Sequence, residues 1–250
     1  MIPALKRSIS AKLSPHITTH SDHSLRRLLL RTISAQLHSL GFFLALGFST
    51  TLLMAIYQQS PGLDLIHWIS AVIFGLTGLM VFASSSLLHF LADGFRISTR
   101  FFRLLRFLDH ASIYLFIAGC YTVFVINTIQ APWNSIILTI VWSTAILGLV
   151  YTALKSRLPK LLRSRWVSTG LFLALGWTIL IRLPEAWQAL EAAERGLLVI
   201  GGFFYTAGAA VYASRQPNPY PKIFGFHEIW HLAVLLGYVS HSAMVLSFYK

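Results

Sequence analysis

Charge is scarce in this chain. Only 11% of its 250 residues are Asp, Glu, Lys or Arg, against roughly 25% in a soluble domain. Acid is scarcer than base, with eight Asp and Glu against 20 Lys and Arg. Cysteine is nearly absent: Cys120 stands alone in an apolar run, which excludes a disulfide framework within the chain. The few charges are clustered, and the gaps between clusters are long and apolar. Hydrophobic residues make up 56% of the chain, and a stretch of about 20 of them spans a bilayer core. These shortages exclude a soluble globular domain. They predict an all-α membrane protein, a seven-transmembrane helix bundle. The net charge of +12 would suit nucleic acid in a soluble protein. In a membrane protein it reads as basic loops holding one side, so nucleic acid is not an expected partner and membrane lipids are.

Residues 1–38 are basic and Ser-rich, with Asp22 as the only acid. No apolar core followed by a small-residue cleavage site marks a secretory signal, although the composition also admits an organelle transit peptide. The first dozen residues are expected to be disordered. Residues 24–31, Ser-Leu-Arg-Arg-Leu-Leu-Leu-Arg, suit an amphipathic helix on the membrane surface. The transmembrane domain is assigned to residues 39–250. Its spans are placed at about residues 40–57, 68–91, 107–129, 135–154, 166–181, 196–212 and 225–248, with ends uncertain by two to four residues. No span is visibly broken in mid-membrane. Glu185, Glu191 and Glu194 are placed in the loop after the fifth.

Seven spans put the termini on opposite sides. All Lys and Arg but Arg182, Arg195 and Lys250 then fall on the amino-terminal side. That asymmetry places the N-terminus in the cytoplasm and the C-terminus outside.

This topology gathers polar residues at one depth. Ser85 and His89 lie near the cytoplasmic end of the second span. Asp109 opens the third. His227 and His231 fall in the first two turns of the seventh, four residues apart and so on one helix face. Ionisable residues inside a bilayer are costly and mark functional sites by default. His89, His227 and His231 supply three imidazoles, the ligand number of a catalytic zinc site with its fourth position left to water. Asp109 and Ser85 would hold or deprotonate that water. In this location the substrate would be a lipid amide or ester. The string His227-Glu228-Ile229-Trp230-His231 also matches the short H-E-x-x-H pattern of zinc peptidases. Glu228 points roughly 100° away from His227 around the helix, and a first-turn carboxylate favoured by the helix dipole is its expected role. Asp109 has an ion pair with Arg106, one turn earlier, as its alternative. His241 lies ten residues past His231, about 15 Å along the helix, too far for the same ion; it is expected to hydrogen-bond between helices. His38 and His110 are read as structural or supporting groups. Tyr114, Tyr121 and Trp230 are read as packing or interface residues.

Three ordered stretches carry a resemblance. Ser85-x3-His89, then Leu108-Asp109-His110-Ala111-Ser112-Ile113-Tyr114-Leu115-Phe116-Ile117-Ala118-Gly119, then Phe224-Gly225-Phe226-His227-Glu228-Ile229-Trp230-His231 resemble the signatures of the hemolysin III family. That family is the bacterial branch of the progestin and adipoQ receptor superfamily. The resemblance covers about residues 34–246. It implies a seven-helix bundle in a bacterial plasma membrane, zinc on the residues matching His89, His227 and His231, and Ser85 and Asp109 beside the zinc water. Third spans of the family commonly continue Ala-Gly-Thr-Tyr-Thr-Pro; here Val123 stands in the place of that proline.

A zinc-dependent lipid hydrolase is therefore expected. A signalling or membrane-homeostasis receptor with structural zinc is the alternative. A pore-forming cytolysin fits poorly, because seven apolar spans describe a resident membrane protein, and a transporter is weaker still. The topology gives a direct expectation. In membrane vesicles, a reporter active only in the cytoplasm will signal when fused at the N-terminus and stay silent when fused after Lys250. The reverse pattern would overturn the assignment.

Overall fold

A computed structural model describes residues 17–59, 64–221 and 224–250, with side chains described from Ile33 onward except at positions 93 and 94. The first dozen residues lie outside the described residues. So do the side chains of residues 24–31, whose backbone continues the first helix. Helices α1 (Ile17–Gln59), α2 (Leu65–Gly94), α3 (Thr99–Thr128) and α4 (Trp133–Leu154) are followed by α5 (Arg165–Gly176), α6 (Leu183–Ala189), α7 (Ala192–Ser214) and α8 (Phe226–Ser247). Among the described residues the sole β pairing is the isolated bridge between Tyr220 and Phe224.

Among the described residues, seven helical stretches are long and apolar enough to cross a membrane. They run over Ile33–Gln59, Leu65–Ala92, Thr99–Thr128, Trp133–Arg157, Arg165–Ala189, Ala192–Ser214 and Phe226–Ser247. The seven-helix expectation holds. Three details of it do not. The third span starts at Thr99, eight residues earlier than placed, so Asp109 lies inside the helix and does not open it. The first span starts several residues earlier, which takes His38 into the apolar helix. The fifth does not end near residue 181, and it is interrupted: α5 passes through a 3₁₀ segment, Trp177–Arg182, into α6. Glu185 is thus helical, and the loop before α7 shrinks to the residues around Glu191.

The interruption has a visible support. The Tyr121 hydroxyl on α3 donates to the Gly176 carbonyl oxygen at 2.7 Å and accepts from the Ile179 N–H at 2.8 Å. A backbone freed from its α-helical pattern inside a bilayer must find such partners within the protein. α3 itself is unbroken, as expected of a span with Val123 where a proline would kink it.

Burial ranks the helices. In the most apolar stretch of α3, 67% of residues are buried, with 50% in α8 and 44% in α2. The other four spans reach only 22–28%. The three helices that carry the sequence-predicted site residues are therefore the innermost three. α1 packs along both α2 and α8, while α7 covers the other side of α8.

Aromatic rings fill the space between α1, α2, α3 and α8. Tyr238 is fully buried. Its ring stacks on Phe74 at 6.1 Å and meets Phe82 edge-on at 5.0 Å and Phe116 at 5.7 Å. The approach of α1 to α2 depends on a missing side chain: a Cβ at Gly41 would lie 2.3 Å from the Phe82 ring. Small residues at such crossings let membrane helices pack backbone to backbone. Gly47 is on the same helix, with nothing within 4 Å of its Cβ position. Overpacking a tight site costs about 1–3 kcal/mol. Gly41→Val should therefore lower the thermal melting temperature in detergent, and Gly47→Val should leave it nearly unchanged. Equal behaviour of the two variants would refute this packing.

Candidate metal centre

The start of α8 sets the site. A helix N-terminus leaves four backbone N–H groups without partners. Here Glu228 reaches back, and its Oε2 accepts from the Gly225 N–H at 2.9 Å. Asn218 Oδ1 accepts from the Phe226 N–H at 3.2 Å. The other Glu228 oxygen, Oε1, accepts from the Ser34 hydroxyl of α1 at 3.0 Å. Both carboxylate oxygens are thus committed to holding the first turn of α8 and tying it to α1. Glu228 is the first-turn carboxylate expected, and the structure adds that it caps the helix, which leaves the zinc-peptidase comparison without its base.

On the fixed first turn, His227 and His231 present their Nε2 atoms to each other at 3.0 Å. His89 comes from α2, and its Nε2 stands 3.4 Å from that of His227. One ligand atom from each of the three residues lies within 4.8 Å of the others, a grouping able to hold a metal ion. His231 is buried; His89 and His227 are half-buried.

Ser85, Asp109, His227 and His231 line one cavity, together with His38 and Tyr212. It measures about 50 Å³, room for a few waters. Ser85 is 1% exposed, and its hydroxyl is directed at the Asp109 carboxylate of α3. Its neighbours in sequence have partners of their own. Ser84 shares a hydrogen bond with Ser112 of α3 at 3.0 Å, and Ser86 shares one with Ser39 of α1 at 2.7 Å. Successive residues on a helix point about 100° apart. The serine triplet thus binds α3, faces the cavity and binds α1 in turn.

Asp109 sits in the third turn of α3, ten residues past its first. Its Oδ2 lies 3.3 Å from His110 Nδ1, which also donates to the Arg106 carbonyl oxygen at 2.9 Å. Among the described ion pairs its neighbour is His110, and the pairing with the Arg106 side chain is not formed. The Arg165 guanidinium lies 5.1 Å from the ring centre of Tyr212, which lines the cavity, and 5.3 Å from that of Phe226. His241 keeps away from this end and donates from Nε2 towards the Leu198 carbonyl oxygen of α7 at 3.4 Å, the interhelical bond expected of it.

All five sequence-predicted site residues therefore meet at one end of the bundle. Sequence reasoning underrated His38, whose ring packs at 4.1 Å from that of His231. The signal it gives in sequence is a histidine at the start of an apolar run, which does not separate a site group from an interfacial one.

The fold and site define an integral membrane protein of seven apolar helices with a three-histidine grouping inside one end. The chain belongs to the hemolysin III family: residues 29–242 match the family described as "Haemolysin-III related". It is 30% identical over 200 residues to "Hemolysin-3 homolog" of Bacillus subtilis (strain 168), covering 80% of this chain and 85% of that one. It is 30% identical over 169 residues to "Hemolysin-3" of Bacillus cereus, covering 68% and 70%.

The capping role of Glu228 separates stability from metal binding. Loss of a helix cap costs about 1 kcal/mol. Glu228→Ala should lower the melting temperature of the purified protein while its metal content per chain stays that of the wild type. Loss of metal without loss of stability would return Glu228 to the chemistry.

Proposed function

We propose that this protein binds one zinc ion through His89, His227 and His231 and hydrolyses an amide or ester bond of a membrane lipid. The observation that carries the reading is the convergence of three Nε2 atoms at contacts of 3.0 and 3.4 Å. Tetrahedral zinc with Zn–N bonds of about 2.0–2.1 Å separates its nitrogen ligands by roughly 3.3 Å. Those contacts lie on either side of that spacing. When bound, zinc supplies a Lewis acid and brings the pKa of a water on its fourth position to about 7.

The remaining steps belong to side chains of this chain. Asp109 accepts the proton of the attacking water at its carboxylate and passes it to the leaving group. Ser85 directs its hydroxyl into the cavity beside Asp109, where it orients the water or the scissile carbonyl. The cavity is too small for an acyl chain, so the lipid offers its amide or ester at the mouth and leaves its chains in the membrane. The family's bacterial relatives and the basic loops support a bacterial plasma membrane, with this end and the basic segment 1–38 in the cytoplasm.

The small cavity also suits a receptor in which zinc is structural, and one set of variants separates the two readings. Purified wild-type protein should carry about one zinc per chain. His227→Ala should lose both the zinc and hydrolysis of an amide or ester lipid. Asp109→Asn should keep the zinc and lose at least about a hundredfold in rate, the usual worth of a positioned acid–base group. Hydrolysis that survives His227→Ala would sink the hydrolase reading. Zinc retained with no turnover of amide or ester lipids by the wild type would leave the receptor.

A further inference from the structure

We infer that His38 is a positioning residue for the proposed metal centre, holding the ring of His231 by its far nitrogen. This rests on the zinc reading above and adds to it a fourth imidazole, on a fourth helix.

His38 lies on α1 and is 4% exposed. Neither of its ring nitrogens has a hydrogen-bond partner among the described residues. Buried polar atoms of that kind are few and call for an explanation. Its ring stands nearly perpendicular to that of His231, 83° between planes and 4.1 Å between centres. That separation brings the edge of one imidazole into contact with the other. His231 points Nε2 at His227, so its Nδ1 is turned away from the three-histidine grouping. Nδ1 of His231 is also buried without a partner among the described residues. Two imidazoles in contact, each with an unsatisfied nitrogen, are one ring rotation from an N–H···N bond.

The direction of that bond follows from the chemistry. A histidine that binds a metal through Nε2 carries its hydrogen on Nδ1 and almost always donates it to a fixed acceptor. For His231 the acceptor within reach is a ring nitrogen of His38. His38 stands behind His231, outside the grouping of His89, His227 and His231, and so acts through His231.

α1 is held so that His38 stays in place. Four residues before it, Ser34 donates to Glu228 of α8; one residue after it, Ser39 shares a hydrogen bond with Ser86 of α2. α1 packs against both helices. Phe82 meets the His38 ring edge-on at 5.5 Å and closes its other side.

The test measures metal binding without any assay of turnover. Zinc affinity is read by competition with a chelator, and cobalt is substituted to read the ligand field in the visible spectrum. His38→Phe keeps the bulk and removes the acceptor. It should weaken zinc about 10- to 100-fold, the usual effect of losing such a partner, and shift the cobalt bands. His38→Gln restores an acceptor and should recover most of the affinity. His241→Phe, a buried histidine away from the site, should leave both readouts unchanged. If His38→Phe does not assemble, as judged by gel filtration and melting, His38→Met takes its place. Affinity of the Phe or Met variant within twofold of the wild type, or equal losses with Gln and Phe, would overturn the inference while leaving the zinc reading intact. A wild type that binds no zinc would overturn both.

Discussion

A polar atom inside a bilayer has no water to turn to, so it must be satisfied by the protein. The helices at the histidine end of this bundle are arranged around that demand. Ser84 reaches α3, Ser86 reaches α1, and Ser34 of α1 reaches the capping carboxylate of α8. These bonds are short-armed, because serine has a single side-chain carbon, and they work only where helices lie close. They therefore fix α1, α2, α3 and α8 relative to one another more tightly than apolar packing alone, which in lipid lacks the hydrophobic drive available in water. Gly41 beneath Phe82 serves the same closeness. The histidines converge because the backbones that carry them are held in this way.

The same demand shapes the other end. The fifth span leaves α-helical geometry after Gly176, and Tyr121 answers for two of the freed backbone groups from the neighbouring helix. At the start of α7, Glu194 is 7% exposed. One of its oxygens accepts from the Glu191 N–H at 2.8 Å and the other from the Ser247 hydroxyl of α8 at 2.7 Å. α8 is therefore tied by a carboxylate at each end, Glu228 on its own first turn and Glu194 near its last. The helix carrying two of the three grouped histidines is the one anchored twice.

Much of this was legible in the sequence, for a physical reason. Apolar runs of membrane length and clustered bases are long-range signals, and they gave the seven helices; parity and charge gave the common depth of Ser85, His89, Asp109, His227 and His231. Details that depend on pairing were not legible. Glu185 and Glu194 read as loop residues because carboxylates look out of place in a span. Their partners, Arg182 with the Gln130 N–H and Ser247 with the Glu191 N–H, are set by the fold. The broken fifth span could not be seen either, since Gly176 is an ordinary small residue until Tyr121 meets it. His38 was hidden by its isolation in sequence: no motif surrounds it, and its meaning comes from a ring on a helix nearly 200 positions away.

The arrangement of the three imidazoles itself argues for a cation. Nε2 of His227 is the common member of both close contacts, with His231 on one side and His89 on the other. In a neutral imidazole that nitrogen carries either a hydrogen or a lone pair. It cannot donate to one neighbour and accept from the other, so hydrogen bonding among the rings alone leaves at least one contact poorly matched. A cation placed among the three accepts a lone pair from each and removes the conflict. It also forces the hydrogens onto the three Nδ1 atoms, which then need acceptors outside the cluster. For His231, which is buried, the ring of His38 is in position to be that acceptor. The proposed zinc and the proposed role of His38 are two consequences of one rule, that a buried ring nitrogen must be given a partner.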